Sequence, residues 1–264
     1  MKERIMTALV LVLIIFGSIL YASDYFFGVG VFLVALLSAY EWLKLAKVDE
    51  NKVTVYLVAF SVISFIVSGF FVYLQFIFPI FWLYAAYKLK QYEGEKFDTM
   101  DQNRVLALGA FALAPFCASL YILHSNNIAW IFIFILVVAG ADSGAYFVGK
   151  AKGKTKMLPR LSPNKTIEGL LGGLFISVIV AMISLSFMHL GFANYILMVA
   201  VCVVAALVSV MGDVFESMMK RIAGVKDSGS ILPGHGGVLD RLDGYMPALP
   251  IFVMLGYLVG VFTY

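Results

Sequence analysis

Charged residues, cysteine and histidine are all scarce in this 264-residue sequence. Only 13% of the residues are charged and 62% are hydrophobic, so a soluble domain of this length would lack the means to bury its apolar surface. Cys117 and Cys202 both lie in apolar runs, which excludes a disulfide framework. No second histidine lies within ligand spacing of His235, which argues against zinc. The composition therefore indicates a protein embedded in a lipid bilayer.

Long apolar runs are abundant, and a helix needs about 20 such residues to cross a bilayer. The run 53–89 would form one helix roughly 55 Å long, against a hydrocarbon core of about 30 Å, so we divide it near Ser68 and Gly69. The predicted spans are 5–20, 26–45, 53–67, 70–89, 105–122, 128–148, 167–190, 195–210 and 246–264. The predicted fold class is all-α: a polytopic integral membrane protein with about nine transmembrane helices.

The positions of Lys and Arg predict the orientation, because short cytoplasmic loops retain basic residues. With nine spans and an inner N-terminus, all 19 Lys and Arg fall at that terminus or in the inner loops 44–52, 88–104, 150–165 and 212–244. We therefore predict a protein of the plasma (inner) membrane with a cytoplasmic active site and an outer C-terminus. Residues 1–264 are treated as one membrane domain, in which 1–122 supply N-terminal helices and 123–264 carry the catalytic site.

The loop 212–244 is the most polar segment, with nine charged residues and seven glycines among its 33 residues. Its aspartates are hard oxygen ligands suited to magnesium, which takes one or two carboxylates and leaves sites for water and phosphate. Asp240 and Asp243, three residues apart, would share a helix face and could hold one ion between them. The candidate metal ligands in this loop are Asp213, Asp227, Asp240 and Asp243.

The basic residues and glycines of the same loop suit phosphate groups. Cationic side chains neutralise phosphoryl oxygens, and glycines let backbone N–H groups approach them closely. For Glu216 an ion pair with Lys220, four residues on, is the alternative to a site role, and for Ser217 the alternative is a helix cap. The candidate phosphate contacts are Lys220, Arg221, Lys226, Arg241, Gly234, Gly236 and Gly237.

Two other inner segments carry candidates. Asp142 lies at the inner end of span six, where an ionisable group is costly unless it faces a polar cavity or a partner such as a nearby Lys. Lys165 and Glu168 lie at the start of span seven, where free N–H groups favour anions. Glu41, at the inner end of span two, stays open between a site role and an interfacial anchor. We expect one site shared between the inner loops.

Residues 217–243 read Ser-x-x-Lys-Arg-x4-Lys-Asp-x-Gly-x2-Leu-Pro-x-His-Gly-Gly-x-x-Asp-Arg-x-Asp, which resembles the signature of the phosphatidate cytidylyltransferases, or CDP-diacylglycerol synthases. The segments 142–146 and 162–169 also resemble that family. The resemblance implies transfer of CMP from CTP to phosphatidic acid, giving CDP-diacylglycerol and pyrophosphate in phospholipid biosynthesis. It also implies magnesium, with a second cation left open.

On that reading, each candidate receives a role. Lys220, Arg221, Lys226, Asp227 and Arg241 are predicted to be catalytic. The predicted metal ligands are Asp227, Asp240, Asp243, Asp142 and Asp213. The predicted substrate-binding residues are Lys165, Glu168, Ser217, Pro233, Gly234, His235, Gly236 and Gly237.

The predicted partners are CTP, phosphatidic acid and membrane lipid, with no nucleic acid; a homodimer is left open. Two alternatives to this function remain. A CTP-dependent lipid alcohol kinase would also need a polar inner loop, but it would transfer the γ-phosphoryl group to a hydroxyl. A transporter using Asp142 and Glu168 as ion sites is disfavoured, because transport predicts polar residues in several midplane spans and spans one, three, four and nine carry no internal charge.

Overall fold

The structure is a computed structural model that describes residues 2–92 and 101–262, without the side chains of residues 2–5 and 8. Its elements are α1 (Lys2–Tyr21), α2 (Asp24–Leu45), α3 (Glu50–Gly69), α4 (Phe71–Leu74), α5 (Ile77–Gln91), α6 (Gln102–Asn126), α7 (Ile128–Lys152), β1 (Lys156–Leu158), β2 (Ser162–Thr166), α8 (Ile167–Leu185), α9 (Phe192–Ala223), α10 (Leu239–Leu242) and α11 (Tyr245–Leu258).

Six helices of the described chain are long and apolar enough to cross a membrane: α2, α3, α6, α7, α8 and α9. This confirms a helical integral membrane protein. Helices α1, α5 and α11 cover three further predicted spans, but α5 has only 15 residues and α11 only 14. The total of nine crossings stays a prediction. The antiparallel hairpin of β1 and β2 lies in the inner loop before α8, where the hydrophobic pattern predicted no strands.

The apolar run 53–89 is broken where the length argument requires it. Helix α3 ends at Gly69, and Phe70 leaves the helical conformation with φ −115° and ψ 16°. One further turn, α4, precedes α5, so the run is not a single helix. The predicted division near Ser68 and Gly69 is confirmed.

Helix α9 is longer than predicted. Its 32 residues span about 48 Å at 1.5 Å per residue, more than a hydrocarbon core of about 30 Å. Residues 212–223, assigned from sequence to a loop, form its last turns, because a buried face of Val214, Phe215, Met218 and Met219 continues the helix beyond the polar pair at 212–213. The helix ends at Gly224, whose φ of +79° is a left-handed conformation that glycine adopts freely.

The helix ends sort into two opposite faces. At one end Nδ1 of His124 lies 2.7 Å from Oδ1 of Asp24. At the other end the indole N–H of Trp42 donates to the Val105 carbonyl at 2.7 Å, and the Gln102 amide donates to the Ala46 carbonyl at 3.0 Å. The connections predicted to be outer and inner thus gather at separate ends of the bundle. Which end faces the cytoplasm stays a prediction.

Glycines bring α7 and α8 into close contact near the end of the bundle at which the predicted inner connections lie. A Cβ at Gly173 would lie 2.6 Å from the Ala141 carbonyl oxygen, and one at Gly144 would lie 2.9 Å from the Gly172 carbonyl oxygen. Larger residues would force the helices apart. This packing fixes Asp142 of α7 beside the start of α8.

Candidate active site

Lys220, in the last turns of α9, lies between two carboxylates. Its Nζ is 2.5 Å from Oε2 of Glu216 and 2.7 Å from Oδ1 of Asp240. The Glu216 side chain is fully buried, so the ion pair offsets part of its loss of hydration, while its Oε1 lacks a hydrogen-bond partner. The ion-pair alternative for Glu216 is confirmed, and Asp240 joins it from the far side of the loop.

Asp240 binds backbone groups of the loop as well as Lys220. Its carboxylate accepts hydrogen bonds from the backbone N–H of Gly237 at 2.8 Å and of Ser228 at 3.0 Å. Burial favours the neutral acid, but the hydrogen bonds from Lys220 and Gly237 outweigh burial and hold the pKa of Asp240 below its ordinary value. Protein donors engage both of its oxygens in this structure, and the predicted sharing of an ion with Asp243 stays a prediction.

A second cluster joins three inner segments. Lys165 Nζ lies 2.5 Å from Oδ2 of Asp213 on α9. Burial, and then the negative charge of Asp213, raise the pKa of Asp243 to about 7, although the Gly244 N–H donates to it at 2.8 Å. Asp142 interacts electrostatically with both Lys165 and Asp213. The predicted meeting of the segments around residues 142, 165 and 213–243 is therefore present in the structure.

The turn at residues 233–237 has the backbone shape that its glycines permit. Gly234 and Gly236 have φ of +75° and +87°, a region that side chains disfavour. The His235 N–H donates to the Leu232 carbonyl at 2.9 Å, and the Arg241 guanidinium donates to the His235 carbonyl at 2.7 Å. Pro233, Gly234 and Arg241 are exposed, so the turn is open to a ligand from solution.

Glu168 has structural partners at the start of α8. Its carboxylate accepts hydrogen bonds from the backbone N–H of Lys154 and Thr155 and from the Thr155 hydroxyl at 2.9 Å. Thr166 caps the same helix by accepting from the Gly169 N–H at 3.1 Å. Glu168 thus holds the chain before the hairpin, and its predicted substrate contact stays a prediction.

Four other candidates lie toward the surface. Ser217 is half-buried within α9. The helix-cap alternative for Ser217 is wrong, because the helix continues past it to Ala223. Arg221, Lys226 and Asp227 are exposed at and beyond the end of α9. The two cations are accessible to a phosphorylated ligand, and the Asp227 carboxylate is accessible to a cation.

Glu41 is the site residue that sequence reasoning did not assign. It is 1% exposed at the end of α2, and its Oε2 accepts from the Leu239 N–H at 2.8 Å and from the Ser228 hydroxyl at 3.3 Å. The available signal was a carboxylate at the end of an apolar span, where an unpartnered charge is costly. Its partners are 187 and 198 residues away, which no local pattern reveals.

The described residues contain no group of three or more Asp, Glu, His or Cys side chains arranged to hold a metal ion. Magnesium often uses one or two protein carboxylates and completes its shell with water and substrate phosphates. Asp213 and Asp243 lie within electrostatic reach of each other and could supply such carboxylates, although Lys165 pairs with Asp213 in this structure.

Comparisons with known proteins cover nearly the whole chain. Residues 2–259 match the model of the cytidylyltransferase family. The chain is 34% identical over 270 residues to a phosphatidate cytidylyltransferase of Pseudomonas aeruginosa, with 98% of each chain covered. It is 31% identical over 294 residues to one of Haemophilus influenzae, covering 96% of this chain and 97% of the relative. A Staphylococcus aureus relative of the same name is 47% identical over 135 residues, about half of each chain.

Proposed function

The chain belongs to the cytidylyltransferase family, and we propose that it transfers a cytidylyl group from CTP to phosphatidic acid, giving CDP-diacylglycerol and pyrophosphate. It is a nucleotidyltransferase of phospholipid biosynthesis. The observation that carries this conclusion is a sequence identity of 31% and 34%, over nearly the full length, to phosphatidate cytidylyltransferases of two organisms.

The reaction requires the protein to align the two substrates and to neutralise phosphate charge, and it requires no covalent intermediate with the protein. A phosphate oxygen of phosphatidic acid attacks the α-phosphorus of CTP, and the bond from that phosphorus to the bridging oxygen of the β-phosphate breaks. Pyrophosphate leaves with the electron pair of that bond. Basic side chains near the site stabilise the charge on the leaving group. No protein nucleophile is required.

We place the CTP phosphates at the exposed basic groups and the glycine turn. Arg221, Lys226 and Arg241 are accessible, and Pro233 and Gly234 of the turn are exposed to solution. Arg241 is fixed by its bond to the His235 carbonyl, so one guanidinium edge is anchored in the turn. Lys165, held by Asp213, is assigned to the phosphate of the lipid or of CTP.

We assign magnesium to Asp213 and Asp243, with Asp142 beside them. Support comes from the placement of these acidic groups around Lys165, which contacts Asp213 directly and lies within electrostatic reach of Asp142 and Asp243. A magnesium ion bound there would neutralise charge on the triphosphate and on the departing pyrophosphate. Asp240 is assigned instead to holding Lys220 and the loop, and Asp227 stays a predicted metal ligand.

We propose that the site faces the cytoplasm. The ends of α2, α7 and α9 that carry the site are the ends flanked by basic residues, in accord with the rule that short cytoplasmic loops retain Lys and Arg. This orientation gives the site access to CTP and to lipid head groups of the inner leaflet.

The test is incorporation of labelled CTP into an organic-soluble product by purified protein in detergent. We expect incorporation only when phosphatidic acid is present, together with release of pyrophosphate. A parallel preparation of the Asp243→Asn variant controls for host enzymes that purify alongside. Formation of CDP in place of pyrophosphate, with a lipid alcohol as acceptor, would instead identify the kinase.

A further inference from the structure

Glu41 is a buried carboxylate in the N-terminal half of the chain. Only 1% of the residue is exposed, and its Oε1 is buried without a hydrogen-bond partner. No ion pair found among residues 2–92 and 101–262 includes it. Burying a carboxylate with so few partners costs free energy, so we expect Glu41 to have a role other than packing.

Two glycines of the loop pack directly on the Glu41 side chain. A Cβ at Gly229 would overlap Oε1 of Glu41, and a Cβ at Gly237 would lie 2.5 Å from Oε2. Both arms of the loop, 228–229 and 237–239, therefore close around this one carboxylate. The Ser228 hydroxyl and the Leu239 N–H supply the two hydrogen bonds.

The same two arms also hold Asp240. The backbone N–H groups of Ser228 and Gly237 donate to the Asp240 carboxylate, which in turn pairs with Lys220. Ser228 and Gly237 thus lie between two acidic groups, with Glu41 on one side and Asp240 on the other. Movement of either arm away from Glu41 would displace Asp240 and Lys220.

The end of α2, which carries Glu41, is fixed by contacts with α6 and α9. Trp42, the next residue, donates to the Val105 carbonyl of α6 at 2.7 Å, and its ring stacks on Phe215 of α9 with centroids 6.1 Å apart. Gln102 ties the end of α2 to the start of α6. The end of α2 that carries Glu41 is therefore positioned by contacts within the helix bundle that do not involve the loop arms 228–229 and 237–239.

We propose that Glu41 is a positioning residue for the cytidylyl transfer, fixing both arms of the loop so that Lys220 and Asp240 are correctly placed. The inference rests on the proposed function. It assigns to α2, far from the 217–243 segment in sequence, a direct part in shaping the active site. Glu41 acts through the loop and contacts no substrate.

The test compares four variants in detergent: Glu41→Ala, Glu41→Gln, Ser228→Ala and, as a matched control, Glu50→Ala, which alters an exposed carboxylate at the start of α3. We expect Glu41→Ala to lower kcat about 100-fold, the loss that a misplacement on the order of 1 Å can cause. KM for CTP and phosphatidic acid should change about threefold or less, because the exposed phosphate contacts are untouched.

Glu41→Gln keeps an acceptor for the Leu239 N–H and nearly the same volume, so it should recover at least about tenfold of the lost kcat. Ser228→Ala, which removes one hydrogen bond, should lower kcat a few-fold without lowering the unfolding temperature measurably. Glu50→Ala should retain wild-type kcat. Recovery by Gln and a loss confined to kcat are results that a general loss of stability would not give.

A folded Glu41→Ala protein with wild-type kcat would overturn the proposal, and so would equal losses in Glu41→Ala and Glu41→Gln. If Glu41→Ala does not fold, Ser228→Ala decides: wild-type kcat in that variant overturns the proposal, and a few-fold loss supports it. Absence of phosphatidate-dependent activity in the wild-type protein would refute the proposed function instead, so the two failures are distinct.

Discussion

Replacing Asp240 by alanine should dismantle the network around Lys220. The variant loses the 2.7 Å contact with Lys220 Nζ and the acceptor of two backbone N–H groups. Because the side chain is only 8% exposed, solvent replaces these partners poorly. Breaking a buried pair by removing one partner costs about 3–5 kcal/mol, and Glu216 remains to hold Lys220, which puts the loss here near the lower figure of about 3 kcal/mol.

If the whole of that loss opposes the active arrangement of the loop, about 3 kcal/mol corresponds to a fall in kcat/KM of roughly 150-fold. The assay is phosphatidate-dependent incorporation of labelled CTP at several magnesium concentrations. The half-saturating magnesium concentration should stay at its wild-type value, since Asp240 is assigned to the protein network. Asp49→Ala is the control, because the exposed pair of Asp49 with Lys52 contributes only about 0–1 kcal/mol. Wild-type kcat/KM in Asp240→Ala, or rescue by excess magnesium, would refute the reasoning.

Three further variants test separate parts of the structure. Asp243→Asn should leave the protein inserted and folded but abolish magnesium-dependent turnover; wild-type turnover would remove Asp243 from the metal site. Gly172→Ala places a Cβ against the Val148 side chain between α7 and α8, and should lower the free energy of unfolding by about 1–3 kcal/mol, measured by denaturation in detergent. An unchanged unfolding transition would contradict that packing. Asp24→Asn weakens the contact with buried His124 at the opposite end of the bundle, and should cost about 1 kcal/mol of stability while kcat stays at the wild-type value; a large fall in kcat would contradict the separation of the two faces.

The hydrophobic pattern predicted the helical membrane fold because its apolar runs are long enough to indicate membrane-spanning helices. The division of the run 53–89 followed from length alone, and the structure ends α3 at Gly69. The extension of α9 was missed because Gly212 and Asp213 interrupt the apolar run. The helix continues there since its next apolar side chains are buried by other helices, which is a tertiary effect.

For the site, the sequence supplied the residues but few of the pairings. The contact of Glu216 with Lys220 follows from helical spacing, whereas the contact of Lys220 with Asp240 joins residues 20 positions apart. Spacing also suggested that Asp240 and Asp243 act together. The fold instead directs Asp240 to Lys220 and places Asp243 within electrostatic reach of Asp213. Glu41 illustrates the limit most clearly, because its partners come from the opposite half of the chain.

Parallel reactions with CTP labelled at the α- or the γ-phosphate determine which phosphate of CTP is transferred, with its cytidine, to phosphatidic acid. We predict that the α-label enters the organic phase only when phosphatidic acid is added, and that the γ-label appears in pyrophosphate. Entry of the γ-label into lipid, with the α-label retained in CDP, would show instead that the protein transfers the γ-phosphoryl group and would rule out cytidylyl transfer.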